Sequence, residues 1–419
     1  MTDEKQLNVA IAGLEFGAEF IPIYQQHPNA TMYAICQRSR DHLDLVGDRF
    51  GVERRYDSYE DVLRDQQVDV VHINTPLQRH ADHVIAALHA GKHVGCTIPM
   101  ATSVEDCRRI VEAQRDTGLT YMMMETVLYS REFLYVRELF EKGFLGKLQF
   151  VRSSHQQDMT GWPSYWDGMP PMYNATHAIS PALGLGNNQA EWVQCLASGT
   201  IFRRMHDKYN APYAMASTHI KFANSDVGAE VTRHLWAVAR QYRESFDVFG
   251  SIRTFEWTQV EGERHVLHLG EEPTRIDVPD FAHLLPEEIR MFTASGVYRD
   301  EGDSAHRSFI QGGGHGGSHP HLVHRLLMSV LGKEQPYPNA VQAANITCAG
   351  ILSHDSAIKD GQKVYLPEWT LSSDSRPTLV PLDESAEPPW STAPPWSTAA
   401  STALGQVIDP KARPLSAPN

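Results

Sequence analysis

Long hydrophobic runs are missing from this chain of 419 residues. None approaches the ~20 consecutive apolar residues a membrane-spanning helix needs, so no membrane partner is expected. The start also lacks a basic segment followed by an apolar core, and the expectation is a mature, cytoplasmic protein. Positive charge is short as well. Lys and Arg total 37 against 51 Asp and Glu, a net charge of −14. A nucleic-acid partner needs basic patches to neutralise phosphate, so none is expected. Cysteine is scarce: Cys36, Cys96, Cys107, Cys195 and Cys348 are odd in number and far apart. They exclude a complete disulfide framework and fit a reducing compartment. Histidine, by contrast, is plentiful at 21 residues. No zinc-finger spacing groups them, but the count hints at proton or metal chemistry.

Residues 7–124 alternate short apolar runs ("LNVAIA", "TMYAIC", "VDVVHIN", "GKHVGC", "LTYMMM") with amphipathic stretches such as "RHADHVIAALHAG". Near-continuous apolar strands between helices predict a parallel, doubly wound α/β sheet of Rossmann type over 1–125. The pattern then changes. A helix is expected over Ser130–Lys142, closed by Gly143. The runs "KLQFVRSS", "AEVTRHLWAV", "ESFDVFGSI", "RTFEWTQV" and "RHVLHLG" alternate with period two. They predict an α+β domain over 126–372 with a largely antiparallel, open sheet and late helices that return to the first domain. In 373–419 proline, serine and alanine dominate and "PPWSTA" occurs twice, which reads as an extended tail.

The first strand runs into "IAGLEFGAEF". Strand, glycine turn, helix is how a dinucleotide fold begins, with the fingerprint G-x-G-x-x-G/A. Gly13 and Ala18 fit its first and third positions, but Glu15 occupies the second. Its carboxylate either points to solvent or faces the pyrophosphate. The latter contact costs on the order of 1–4 kcal/mol at surface-like dielectric, which weakens a nucleotide without excluding it. The second strand ends "AICQRSRD" with Gln37 where an acidic ribose partner is usual. Arg38 and Arg40 either pair with a 2′-phosphate or are ordinary surface arginines, so NAD and NADP both stay open.

"VDVVHINTPLQRHADHVIAALHAGKHVGCTIP" and "VRELFEKGFLGKLQFVRSS" resemble the Gfo/Idh/MocA oxidoreductases through Thr75-Pro76, His80 and the "GKHV" run ending at a proline. The resemblance implies a nicotinamide cofactor, NAD or NADP. It would be held by Gly13, Leu14, Glu15, Phe16, Gln37, Arg38, Asn74, Thr75, Pro76, His80, Thr97 and Pro99. It also implies a sugar or polyol substrate and a homo-oligomer built through the second-domain sheet. One departure matters. The dehydrogenases of the family carry E-K-P where this chain has Thr97-Ile98-Pro99, and isoleucine carries no proton. A second set of stretches, "KHVGCTIPMATSVEDC", "YMMMETVLYSR", "ATHAISP" and "GGHGGSHPHLVHRL", resembles the NAD-dependent α-N-acetylgalactosaminidases of the same superfamily. Those enzymes cleave a glycoside by oxidation, elimination, hydration and re-reduction. Their tyrosine three positions before His177 is Asn174 here, which puts their specificity in doubt.

Within these stretches His177 is the candidate general acid or base, since a near-neutral imidazole both takes and gives a proton. Its plain alternative is a satisfied core histidine. Tyr129 is a second candidate, able to protonate a leaving oxygen; packing is its alternative. Glu125, Arg131, His155, Asn174, His315 and His319 are candidate sugar contacts. "SSHQQD" could offer His155 and Asp158 to a metal beside His177, and "GGGHGGSHPH" could offer His315, His319 and His321. No tight ligand spacing supports either set, so no metal is assigned. The function expected is redox-assisted cleavage or modification of a glycoside. The alternatives are a sugar or polyol dehydrogenase using histidine in place of lysine, and a sugar- or nucleotide-binding protein without redox chemistry.

Overall fold

The computed structural model describes residues 5–206, 208–209, 211–240, 242–260, 262–269, 272–293 and 314–371. The tail expected over 373–419 lies outside the described residues. Six strands, β1 (Leu7–Ala12), β2 (Ala30–Cys36), β3 (Arg55–Tyr56), β4 (Val70–Ile73), β5 (His93–Cys96) and β6 (Tyr121–Met123), form one sheet. Their order is β3-β2-β1-β4-β5-β6 and every pairing is parallel. Val9, Ala10, Ile11, Val70, Val71 and Val94 are fully buried, as strands covered on both faces require. Helices α1 (Ile21–Gln26), α2 (Arg40–Phe50), α3 (Tyr59–Arg64), α4 (His80–His89) and α5 (Val104–Thr117) intervene. The strand order reverses between β1 and β4. A ligand crevice opens outside the carboxyl ends of the strands at such a point.

Helix α6 (Arg131–Glu141) starts where the Ser130 hydroxyl accepts the Phe133 N–H. The second sheet has nine strands in the order β14-β13-β12-β11-β7-β10-β9-β8-β15. These are β7 (Leu148–Gln156), β8 (Ala190–Ser198), β9 (Met215–Phe222), β10 (Gly228–His234), β11 (Arg243–Gly250), β12 (Thr254–Glu256), β13 (His265–Leu269), β14 (Glu272–Ile276) and β15 (Val364–Tyr365). Only β7 and β10 run parallel among its described pairings. The sequence pattern does not single out β8, β9, β14 or β15. In β9 the inward Thr218 is fully buried and bonds the Ser353 hydroxyl at 2.8 Å, so a polar residue stands where an apolar one would mark the strand.

Three more helices place the site. α7 (Thr176–Gly184) lies on β7, β10 and β11. α8 (Gly314–Val330) is interrupted at its start, where His315, Gly316 and Gly317 all have positive φ. α9 (Ala340–Ala357), buried along nearly its whole length, touches both β8 and α5 and so ties the two sheets together. No described helix is long and apolar enough to cross a membrane.

Candidate active site

One cleft of about 1190 Å³ runs from the first glycine turn to the face of the second sheet. At its nucleotide end Gly13 has φ +92°, and a Cβ there would stand 2.4 Å from the Asn74 carbonyl oxygen. Only glycine lets the β1 and β4 loops approach so closely. The Asn74 amide is buried and neither of its polar atoms has a partner among the described residues. Such a group is built to meet a ligand. Leu14, Glu15 and Phe16 also line the cleft. The Glu15 side chain is 72% exposed and its Oε1 lies 4.0 Å from His42 Nε2.

Gln37 and Arg38 line the cleft beyond the end of β2, but Arg40 is spent on Asp44 at 2.9 Å. Asp57 and Glu60, which sequence reasoning passed over, line the same end. Asn74, Thr75, Pro76, His80 and Thr97 reach the lining, whereas Pro99 does not and Ile98 takes its place. His80 is a strut as well as a wall: its two ring nitrogens lie 2.8 Å from the carbonyls of Thr75 and Pro99. Burial lowers its pKa against the pull of those two carbonyls.

At the other end, β7, β10 and β11 place His155 beside both Glu244 and Arg233 in the register of the sheet. Tyr242 precedes Glu244 by two residues and shares its face. His177 enters from the first turn of α7. Its Nδ1 is 2.6 Å from Glu125 Oε1 and 3.6 Å from Glu244 Oε1. His315 Nδ1 is 3.1 Å from Glu244 Oε1 and 3.0 Å from the Tyr242 hydroxyl, which itself donates to Glu244. Burial lowers the His177 pKa, but the Glu125 and Glu244 carboxylates outweigh it and the net direction is up. Burial would raise the Glu244 carboxyl; the two imidazoles hold it down at about 2. One ligand atom each from His177, Glu244 and His315 fall within 4.8 Å of one another, so these three could hold a metal. The ligands come from three distant segments, which is why no spacing in the sequence reveals them. At this end sequence reasoning missed Glu244, Tyr242 and Arg233. A carboxylate two residues after a tyrosine at the start of a strand is their only trace.

The remaining candidates divide. Asn174 lines the cleft and its buried Oδ1 has no described partner. Glu125 and His155 are fully buried behind the cleft rather than on its wall. Tyr129, expected in catalysis, is not brought to the cleft. The turn at Thr126–Tyr129 directs its hydroxyl onto the Tyr337 carbonyl at 2.6 Å, and burial raises its pKa. Arg131 binds the carbonyls of Gly316 and Thr293 and so holds the turn that carries His315. His319 is buried against Phe16 and Phe20, with Nδ1 3.3 Å from Glu19 Oε2, and does not line the cleft. Asp158 accepts from Thr160 and Ala237 and serves its loop. In that loop Trp162, Tyr165 and Trp166 form an aromatic wall of the cleft, packed on Leu77 and Met159.

Residues 7–125 match the family GFO_IDH_MocA, described as "Oxidoreductase family, NAD-binding Rossmann fold". A glycosyl hydrolase family 109 protein of Shewanella baltica is 28% identical over 193 residues. An alpha-N-acetylgalactosaminidase of Shewanella oneidensis is 26% identical over 193 residues. Each match spans 42% of this chain and 42% of the relative, so less than half of those proteins' length is represented. Among solved structures, an oxidoreductase from Agrobacterium radiobacter in complex with NAD+, L-tartaric acid and magnesium aligns with TM-score 0.70 and 18% identity, over 86% of this chain and 98% of that one. Levoglucosan dehydrogenase in complex with NADH and levoglucosan aligns with TM-score 0.69 and 19% identity, over 87% of this chain and 100% of that one.

Proposed function

We propose that this chain, whose residues 7–125 belong to the Gfo/Idh/MocA oxidoreductase family, is an NAD-dependent enzyme that acts on a carbohydrate by redox-assisted cleavage or modification of a glycoside. The observation that carries the reading is the continuity of the cleft: the Gly13 turn, the Trp162–Trp166 wall and the His177–His315 pair line one cavity. The residues present fit a dinucleotide. The Gly13 cradle has no room for a side chain, and the idle Asn74 amide offers a donor and an acceptor beside it. Asp57 and Glu60 line the end where a 2′-phosphate would lie, beside Arg38, and two carboxylates there favour NAD over NADP. A bound nicotinamide supplies a reversible hydride acceptor.

This chain's own residues then have two tasks. The aromatic wall offers flat faces for sugar C–H groups to pack on. The proton released when a sugar hydroxyl is oxidised goes to the cluster of His177, Glu244 and His315. Glu125 fixes the orientation of His177 from behind. Among the described residues no lysine lines the cleft, so proton handling falls to histidine. The glycosidase reading is preferred to a simple dehydrogenase because the Shewanella relatives, at 26–28% identity, are glycosidases by name. The compartment we assign is the cytoplasm, on the five cysteines, all free and buried. The assembly is a homo-oligomer through the second sheet, whose outer face carries Leu196 at 69% exposure; light scattering checks it. The test of the activity is hydrolysis of nitrophenyl glycosides by the full chain with NAD. Cleavage without net accumulation of reduced nicotinamide, abolished in His177→Ala, is expected. Stoichiometric reduction of NAD without cleavage would make it a dehydrogenase, and neither would leave a binding protein.

A further inference from the structure

We propose that His177, Glu244 and His315 hold a divalent transition-metal ion at the sugar end of the cleft. Two ligands that are each about 2.0–2.2 Å from a tetrahedral ion stand roughly 3.4 Å apart. Glu244 Oε1 lies 3.6 Å from His177 Nδ1 and 3.1 Å from His315 Nδ1, on either side of that separation. Two imidazoles and one carboxylate form the donor set of catalytic zinc, and they leave a coordination position open to a ligand.

An independent observation points the same way. His155 is fully buried, and neither of its ring nitrogens has a hydrogen-bond partner among the described residues. Its ring lies 4.9 Å from that of His177, centre to centre. A buried imidazole with both nitrogens idle beside two other imidazoles is a donor whose partner is not protein. Charge gives a further reason. Glu125 and Glu244 place two carboxylates in a dry site. The nearby Arg233 guanidinium is committed to the carbonyls of Asn174, His155 and His234. Two buried carboxylates against that one guanidinium leave a negative balance, which a bound cation offsets. His315 is held in place by its own left-handed backbone, φ 46°, and by the grip of Arg131 on Gly316.

The ion deepens the functional reading. As a Lewis acid it would meet the sugar hydroxyl and make its proton easier to lose; with the ion bound, His177, Glu244 and His315 act as its ligands instead of as proton acceptors, and that proton leaves to water in the cleft. That consequence rests on the carbohydrate reading; binding of the ion does not. The experiment strips the full-length chain with a chelator, then titrates it with cobalt(II) and zinc(II). Metal content, the cobalt absorption band and NADH binding are read on the same samples. Wild type, Glu244→Gln and His315→Asn are compared. The expected result is a single ion per chain, a cobalt band displaced by zinc, and binding at least ~10-fold weaker in each variant. An ion-free wild type that still binds NADH, or variants that hold the ion as tightly as wild type, would overturn the inference and leave the cofactor reading standing. Retained ion with no NADH binding would support the metal site while removing the redox reading.

Discussion

At Gly13 the backbone conformation, φ +92°, and the 2.4 Å approach of a hypothetical Cβ to the Asn74 carbonyl both exclude a side chain. Gly13→Ala is expected to weaken NADH binding by more than ~10-fold, which is about 1.4 kcal/mol, and to lower the melting temperature. Fluorescence titration and a thermal melt check it. Glu15 should behave oppositely. Its carboxylate is 72% exposed and leans towards His42, where solvent screens it. Glu15→Gly should change the NADH dissociation constant by less than about threefold, under ~1 kcal/mol. A larger tightening would mean that the carboxylate faces the pyrophosphate after all. Of the two readings the sequence left open for Glu15, solvent exposure is the one the side-chain position favours. The sequence could not decide between them, because a helix-start glutamate and a phosphate-facing one look alike in one dimension.

Individual elements explain how much of the site was legible. The Gly13 turn, Asn74, Thr75 and His80 lie within local strand-turn-helix units, so motif and neighbour sequence reach them. The His155–Glu244–Arg233 set depends on β7 pairing with both β10 and β11 across nearly eighty residues of chain or more, and only the sheet register reveals it. The five glycines around His315 signalled an unusual backbone, and the structure describes left-handed conformations at His315, Gly316 and Gly317. A second inter-element contact makes its own prediction. His27, just after α1, accepts the Asn29 N–H at Nδ1, so its Nε2 carries the proton it donates to His324 Nδ1 on α8, at 3.0 Å. Burial, then the charges of His324 and Lys333, lowers His27 to about 3; burial and the charges of Arg325 and Lys333 lower His324 to about 4. Both folded values lie below the ordinary 6.5, so the unfolded chain binds protons first. The stability of this contact is present above pH ~6.5 and is lost as pH falls through ~4 towards ~3. The urea midpoint should therefore drop over that window. His324→Asn should flatten the drop, and an unchanged slope would show that the pair does not titrate on unfolding.

On the scale of the whole molecule, the alternation of apolar strands and helices over residues 7–124 made the first sheet readable. The second sheet was half readable, because inward polar residues such as Thr218 break the period in its centre. The late helices were expected to return to the first domain, and α9 packs on both α5 and β8; what no pattern conveyed is the single cavity that the two sheets share. That continuity is the central claim, since on the proposed reading it would set a nucleotide beside a sugar. It is tested most directly by titrating the full chain with NADH and with NADPH and following nicotinamide fluorescence. The account predicts saturable binding of NADH with a dissociation constant below ~1 mM, the upper end of ordinary enzyme–ligand affinities, and weaker binding of NADPH. No binding of either up to several times ~1 mM, in protein shown to be folded, would contradict it.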